Sequence, residues 1–264
     1  MSGGDAGADI SAADRYRAPA LDKGLDILEV LASHVGGLTR AEIGRELGLS
    51  ASQLYRMLER LVARGYVARV GGGDRYTLSM KMFVLATRHP PFRRLTAQAQ
   101  PMLDEFAAEM NQSCHLVVPD HGTGLIIAQA SPVSHWEYRA RVGAQMDLFS
   151  TGSGLTLLAC QHPDRSVETL GQWGIASAED RLRQVAPELR AIRAAGYRMA
   201  PSMQIVGVTD ISVPVRGPDQ DAVAVVTCAH LEHPDAPRQD LHGEILERLK
   251  RLTDALSLPI APGR

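Results

Sequence analysis

The sequence predicts an α+β protein in two parts: an N-terminal winged helix-turn-helix, then a domain of helices packed on a largely antiparallel sheet. Three observations predict it. Residues 38–78 carry two capped helical patterns joined by a tight glycine turn and followed by a glycine-tipped hairpin. Basic charge gathers on that stretch. Arg40 to Arg94 hold eleven Lys/Arg against four Asp/Glu, a net of +7, in a chain whose net charge is −2. Beyond Pro90-Pro91, Val- and Ile-rich strand patterns are interspersed with helical ones.

Residues 1–18 are Gly/Ala/Asp-rich without periodicity and are expected to form a disordered arm. A first helix follows, with Leu21, Leu25, Leu28 and Leu31 as its apolar spine and Ile27 and Val30 widening it. The next helix opens at Thr39, with Glu42 three residues on. Its successor opens at Ser50, with Gln53 three residues on. Each spacing predicts a capping box, in which the hydroxyl accepts from an amide of the first turn and the Glu/Gln reaches back. Leu38 with Ile43, and Leu49 with Leu54, are placed as hydrophobic staples. Gly48 stands where the first of these two helices must stop, since glycine takes a left-handed cap cheaply.

In the last of the three helices, Leu54, Met57, Leu58, Leu61 and Val62 recur at the helical period and predict a buried stripe. Ser52, Gln53, Tyr55, Arg56, Glu59, Arg60 and Arg64 make the opposite, donor-rich face. Gly65 ends the helix, and Tyr66–Val70 and Arg75–Leu78 read as strands around Gly71-Gly72-Gly73-Asp74. A helix-turn-helix places its second helix in the major groove. Thr39, Arg40, Ser50, Ser52, Gln53, Tyr55, Arg56, Arg60 and Arg75 are therefore the candidate contacts to double-stranded DNA.

Residues 19–79 thus form the DNA module. Met80–Thr87 reads as a linker helix, and His89-Pro90-Pro91 closes the 80–91 boundary, because a double proline cannot continue a helix. Residues 92–257 form the second domain. A helix is expected over 92–110, with Leu95, Met102, Leu103, Phe106 and Met110 inward. Strands are expected at 113–118, 124–130, 135–142, 211–216 and 222–228, and helices at 153–161, 164–173, 179–195 and 238–256.

Several function classes fall away. No apolar run approaches the roughly 20 residues of a membrane span. The start lacks the basic-then-apolar pattern of a secretory signal. Three cysteines, Cys114, Cys160 and Cys228, lie far apart, which suits buried thiols in a reducing cytoplasm. No metal or cofactor is expected. His230-x-x-His233 has helical ligand spacing, but Pro234 argues against a helix there. Cys114 and His115, adjacent on a strand, would point to opposite faces and cannot pair as nucleophile and base. Gly152-Ser153-Gly154 lacks the spacing of a nucleophile elbow, so catalysis is not expected.

Thr151-Gly152-Ser153-Gly154 precedes an apolar helix (Leu155, Leu157, Leu158, Ala159). Amides at a helix N-terminus, with the helix dipole, favour an anion, and a small carboxylate is the natural guest. The bland alternative is a structural loop capped by Thr151. Trp136, Met146 and Phe149 are expected in the core and are possible lining residues of the same cavity.

The chain resembles the IclR family of bacterial transcriptional regulators from about Ala18 to Leu256. The resemblance is carried by APALDKGLDILEVLA, GLTRAEIGRELGLSASQLYRMLERLVARGYV and RYTLS, then by TGSGLTLLA, LRAIRAAGY and VGVTDISVPV. It implies a DNA-binding domain that dimerises through its own helices, a C-terminal effector-binding domain with a curved antiparallel sheet, and homodimers or homotetramers. It places the effector at Gly152 and Ser153 and adds Asp210 and Thr227, which suit the hydroxyls of a sugar acid, or of a hydroxy or keto acid. Two departures stand out. Ala51-Ser52-Gln53 replaces a basic residue followed by Ser-Thr, and Thr151-Gly152-Ser153-Gly154-Leu155 replaces Thr-Ala-x-Gly-Lys. The implied function is ligand-responsive regulation, often of a catabolic operon. The alternative is an enzyme or ligand-binding protein that uses the basic module to dimerise.

Overall fold

A computed structural model describes residues 18–88, 90–133, 139–231 and 241–258. The chain divides into two units, between Pro90 and Pro91.

The first unit opens with α1 (Pro19–Ala32), β1 (Leu38–Thr39), α2 (Arg40–Leu47) and α3 (Ala51–Ala63). It continues with β2 (Val67–Val70), a 3-10 turn at Gly71–Gly73, β3 (Arg75–Leu78) and α4 (Lys81–Arg88). The strands form one antiparallel sheet in the order β1-β3-β2. Strand β1 is too short for a periodicity signal and was not expected from the sequence. Gly71, Gly72 and Gly73 all take positive φ (62°, 78° and 99°), which explains the triple glycine at the hairpin tip.

The Thr39 capping box forms: Glu42 N donates to Thr39 Oγ1 (3.3 Å), and Thr39 N donates to Glu42 Oε2 (2.7 Å). Gly48 caps α2 in the left-handed conformation at φ 62°. The second expected box does not form. Ser50 has the extended backbone of a cap, but its exposed hydroxyl lies 3.4 Å from Ser52 Oγ and accepts from no α3 amide. The α3 stripe is inward, with Leu54 and Leu58 fully buried and Met57, Leu61 and Val62 partly so. The spine of α1 needs correcting. Ile27 and Leu31 are the buried residues, whereas Leu21 and Leu25 are 61% and 47% exposed. At 100° per residue Ile27 and Leu31 share a face, and only that face meets α2, α3 and β3.

The second unit comprises α5 (Pro90–Met110), β4 (Cys114–Asp120), β5 (Thr123–Ala130), β6 (Gln145–Asp147), α6 (Gly152–Ala159), α7 (Pro163–Gln172) and α8 (Ala178–Ala195). It then runs through β7 (Arg198–Pro201), β8 (Val208–Arg216), β9 (Ala222–Leu231) and α9 (Leu241–Leu256). Helix α5 starts at Pro90 rather than residue 92, because proline is tolerated in a helix's first turn, where its missing N–H costs nothing. The strands form a curved antiparallel sheet, β6-β5-β4-β9-β8-β7. Of the strand expected at 135–142, the described part, 139–142, is loop and turn, and the edge strand of the described sheet is β6. Residues 134–138, with Trp136, lie outside the described residues, as do 1–17, 232–240 and hence His233.

One side of the sheet packs on α5 and α9 through Leu103, Phe106, Leu249 and Leu252, against Cys114, Leu116, Ile211 and Val226. On the other, Leu155, Leu157 and Leu158 of α6 meet Leu148, Phe149, Ile126 and Val225. Phe149 is therefore core, as expected, and Met146 packs against the same cluster. Each such buried Leu or Phe contributes about 1.5–3 kcal/mol.

Candidate effector site and DNA-binding face

Antiparallel register sets a polar row into an otherwise apolar sheet. Residues directly opposite one another share a face. Arg198 pairs with Ser212, Ser212 with Thr227, Thr227 with His115, and His115 with Gln129, across five strands from β7 to β5. The neighbouring row, Ile211, Cys228 and Cys114, faces α5 and α9, and burial pushes the Cys114 and Cys228 thiols up.

Helix α6 lands on the polar row. Ser153, fully buried, brings its hydroxyl to 2.8 Å from Thr227 Oγ1 and 3.4 Å from His115 Nε2, and Thr227 Oγ1 lies 2.8 Å from Ser212 Oγ. Burial lowers the His115 pKa to about 4, so the ring is neutral at pH 7. Cys114 points instead to the Leu103 carbonyl, which bears out the opposite-face argument for Cys114 and His115. Ser153 and Thr227, placed separately by the sequence, thus bond to each other.

Thr151 caps α6. Its Oγ1 accepts from Gly154 N (3.0 Å) and donates to the Asp147 carbonyl (2.8 Å). The two glycines have different jobs. A Cβ on Gly154 would lie 2.5 Å from Leu148 Cα and 2.6 Å from Leu148 O, so Gly154 is required for packing rather than for ligand access. A Cβ on Gly152 would meet Asp210 Oδ2 at 3.2 Å and Arg198 Nη1 at 3.3 Å. Gly152 and Ser153 occupy the first two helical positions, whose amides have no partner within the helix.

Asp210, half-buried, has its carboxyl pKa raised by burial, with the Ser202 hydroxyl and the Arg198 charge opposing. Arg198, Ser212 and His115 are not among the residues that the sequence singles out for this site, because strand register, and no local spacing, brings them to it. An open groove of about 580 Å³ also lies between α6, α7 and α8, floored by Leu158, Val167, Leu182 and Leu189. None of the residues of the polar site lines it.

On the first unit, Arg40, Ser50, Ser52, Gln53, Tyr55, Arg56 and Arg60 are all exposed. The Arg40 guanidinium lies 5.4 Å from the Tyr55 ring centroid, which links α2 to the front of α3. Thr39 is only partly exposed, and its hydroxyl is occupied by the cap. Arg75 is engaged internally. Its Nη2 and Nε donate to the carbonyls of Gly37 (2.7 Å) and Gly36 (3.2 Å), and Nη2 lies 3.5 Å from Glu42 Oε2. It sits opposite Thr39 on β3, so the sheet register turns it toward the 36–37 turn.

A winged helix-turn-helix joined to a separate domain in which a helix N-terminus lands on a buried polar row defines the class of DNA-binding regulators with a built-in effector domain. The chain belongs to the IclR family of transcriptional regulators. Residues 93–257 match the family described as "Bacterial transcriptional regulator IclR C-terminal", and residues 20–71 match "IclR helix-turn-helix domain". These are domains of regulators, not of enzymes. The chain is 27% identical over 203 residues to the HTH-type transcriptional regulator Rv1719 of Mycobacterium tuberculosis (76% of this chain, 78% of that protein). It is 25% identical over 207 residues to the DNA-binding transcriptional repressor YiaJ of Escherichia coli (74% and 72%). Its fold is similar to the crystal structure of an IclR homolog complexed with 4-hydroxybenzoate from Microbacterium hydrocarbonoxydans, with TM-score 0.70, 24% identity and coverage of 90% and 97%. Among the described residues no helix is long and apolar enough to cross a membrane.

Proposed function

We propose that this protein is a cytoplasmic repressor that binds double-stranded operator DNA as a homodimer or homotetramer and responds to a small hydroxylated or keto carboxylic acid, controlling a catabolic operon. The observation that carries the ligand class is the convergence of Gly152, Ser153, Asp210 and Thr227 at the N-terminus of α6. Amides there favour a carboxylate, and Asp210 accepts from a hydroxyl. The relative's complex with 4-hydroxybenzoate, itself a hydroxylated carboxylate, supports the reading. Repression follows the relative named as a repressor.

DNA docking uses the front of α3. Ser52, Gln53, Tyr55 and Arg56 meet base edges, while Arg40, Ser50 and Arg60 serve phosphates. Thr39 and Arg75 shape the module from within, with Arg75 holding β3 to the 36–37 turn. Assembly is supported by exposed apolar side chains on two helices of the first unit: Leu21 and Leu25 on α1, and Met82, Phe83, Val84 and Leu85 on α4. A second copy covers them and aligns two recognition helices on a pseudo-palindrome. The test is a mobility shift with the DNA upstream of the protein's own gene, with and without a panel of sugar acids, keto acids and 4-hydroxybenzoate. A retarded band that the panel alters supports the reading; a protein that retards no such fragment contradicts it.

A further inference from the structure

We infer that Arg198 anchors the effector's carboxylate while Asp210 selects for a hydrogen-bond donor beside it, so that the site takes hydroxylated carboxylates over their keto or unsubstituted counterparts. This rests on reading the α6 N-terminus as the effector site.

The guanidinium of Arg198 is held but not satisfied. It is 6% exposed, and its Nε donates to Glu188 Oε1 at 2.8 Å. That contact from α8 fixes its direction. Its Nη1 is buried and has no hydrogen-bond partner. A charged donor left unmade in the interior is costly, and it marks a place where a partner belongs. Nη1 opens onto Gly152: a Cβ there would lie 3.3 Å from it. A buried cationic N–H thus lies beside the first residue of α6, at the helix end whose amides have no partner within the helix. The group that satisfies all of them is an anion with two acceptor oxygens.

Asp210 narrows the choice further. Its Oδ2 lies 3.2 Å from the same Cβ position, so the carboxylate borders the same space. Among the described residues Arg198 forms its ion pair with Glu188 and none with Asp210. A ligand anion bound at Arg198 therefore presents its next substituent to a second carboxylate. A keto oxygen offers Asp210 only lone pairs, whereas a hydroxyl donates to it. A site that offers an acceptor to a hydroxyl disfavours the analogue lacking one, because the carboxylate then faces lone pairs instead of a donor.

The experiment is titration calorimetry on the full chain with matched probes: lactate against pyruvate and propionate, mandelate against phenylacetate, gluconate, and the amides of the hydroxy acids. The hydroxylated acids are expected to bind at least tenfold tighter than their partners, and the amides not at all. Arg198→Met should weaken binding at least tenfold. Because it leaves Glu188 unpaired and can destabilise the fold, Gly152→Ala is the second variant. It keeps every charge and sets a methyl against both Nη1 and Oδ2, and it should also cost about tenfold in affinity, its folding being checked by its melting temperature. Asp210→Asn should retain carboxylate binding and lose the hydroxyl preference. If the hydroxy acids bind and both Gly152→Ala and folded Arg198→Met bind within twofold of wild type, the anchor is overturned while the effector reading stands. If wild type binds keto and hydroxy acids alike, the role of Asp210 is overturned. If wild type binds none of these acids, both readings fall.

Discussion

Arg56 and Arg75 carry the same charge in different surroundings. Arg56 is exposed on α3, whereas Arg75 donates to two backbone carbonyls. Arg56→Ala should therefore cost about 1–3 kcal/mol of specific DNA binding and leave thermal stability unchanged. Arg75→Ala should instead lower the stability of the DNA module by about 1–3 kcal/mol, because the Gly36 and Gly37 carbonyls lose their donor. Fluorescence anisotropy and thermal unfolding, run on both variants, separate the two roles. His115 supplies a pH test. A base whose pKa is held below its ordinary 6.5, at about 4, stabilises the fold fully above pH 6.5, and that stability is lost as pH falls through 4. Between pH 7 and pH 4 the wild type should lose about 3 kcal/mol more than His115→Gln, as read from urea midpoints. At this scale the sequence was partly legible. Thr39 and Gly48 announced themselves through local spacing. Arg198 did not, because its meaning lies in what strand register and Glu188 do to it.

Among the elements, α3 was the most readable, since its stripe at i, i+3, i+4, i+7 and i+8 needs no partner to be recognised. The inward face of α1 was not readable. Leu21, Leu25, Leu28 and Leu31 and the pair Ile27 and Leu31 both satisfy helical spacing, and only packing against α2, α3 and β3 selects the second. The assembly we propose gives the exposed leucines a role. Leu25→Glu combined with Phe83→Asp should convert the protein to a monomer by sedimentation at micromolar concentration. Helical content should be unchanged, because neither side chain is buried within its own unit. Retention of the wild-type mass would place the dimer contact elsewhere. The sheet order β6-β5-β4-β9-β8-β7 was beyond sequence reading: strand existence follows from Val/Ile content, but neighbours follow from tertiary pairing. That pairing brings Ser153, Thr227 and His115 together from 115, 153 and 227.

At the scale of the whole molecule, the chain divides into two units, one the IclR-type DNA-binding domain and the other the IclR C-terminal domain, for which we propose the anionic effector. An effector regulates such a protein only through unequal affinity for its DNA-competent and DNA-incompetent states, and typical couplings of about 1–3 kcal/mol correspond to roughly 5–150-fold in operator affinity. Linkage makes the effect reciprocal, so operator DNA must change effector affinity by the same factor. The two-part architecture was legible because Pro90-Pro91 and the shift in charge mark the boundary locally. The coupling itself has no local signature in the sequence. One measurement tests the central claim most directly: the operator affinity of wild type and Arg198→Met at about 0.15 M salt, each with and without a saturating hydroxylated carboxylate identified by calorimetry. The account predicts at least a fivefold change for wild type. For Arg198→Met, at a ligand concentration just sufficient to saturate wild type, it predicts a much smaller change, with ligand-free affinity preserved. An acid that binds wild type tightly yet leaves operator affinity untouched would contradict it.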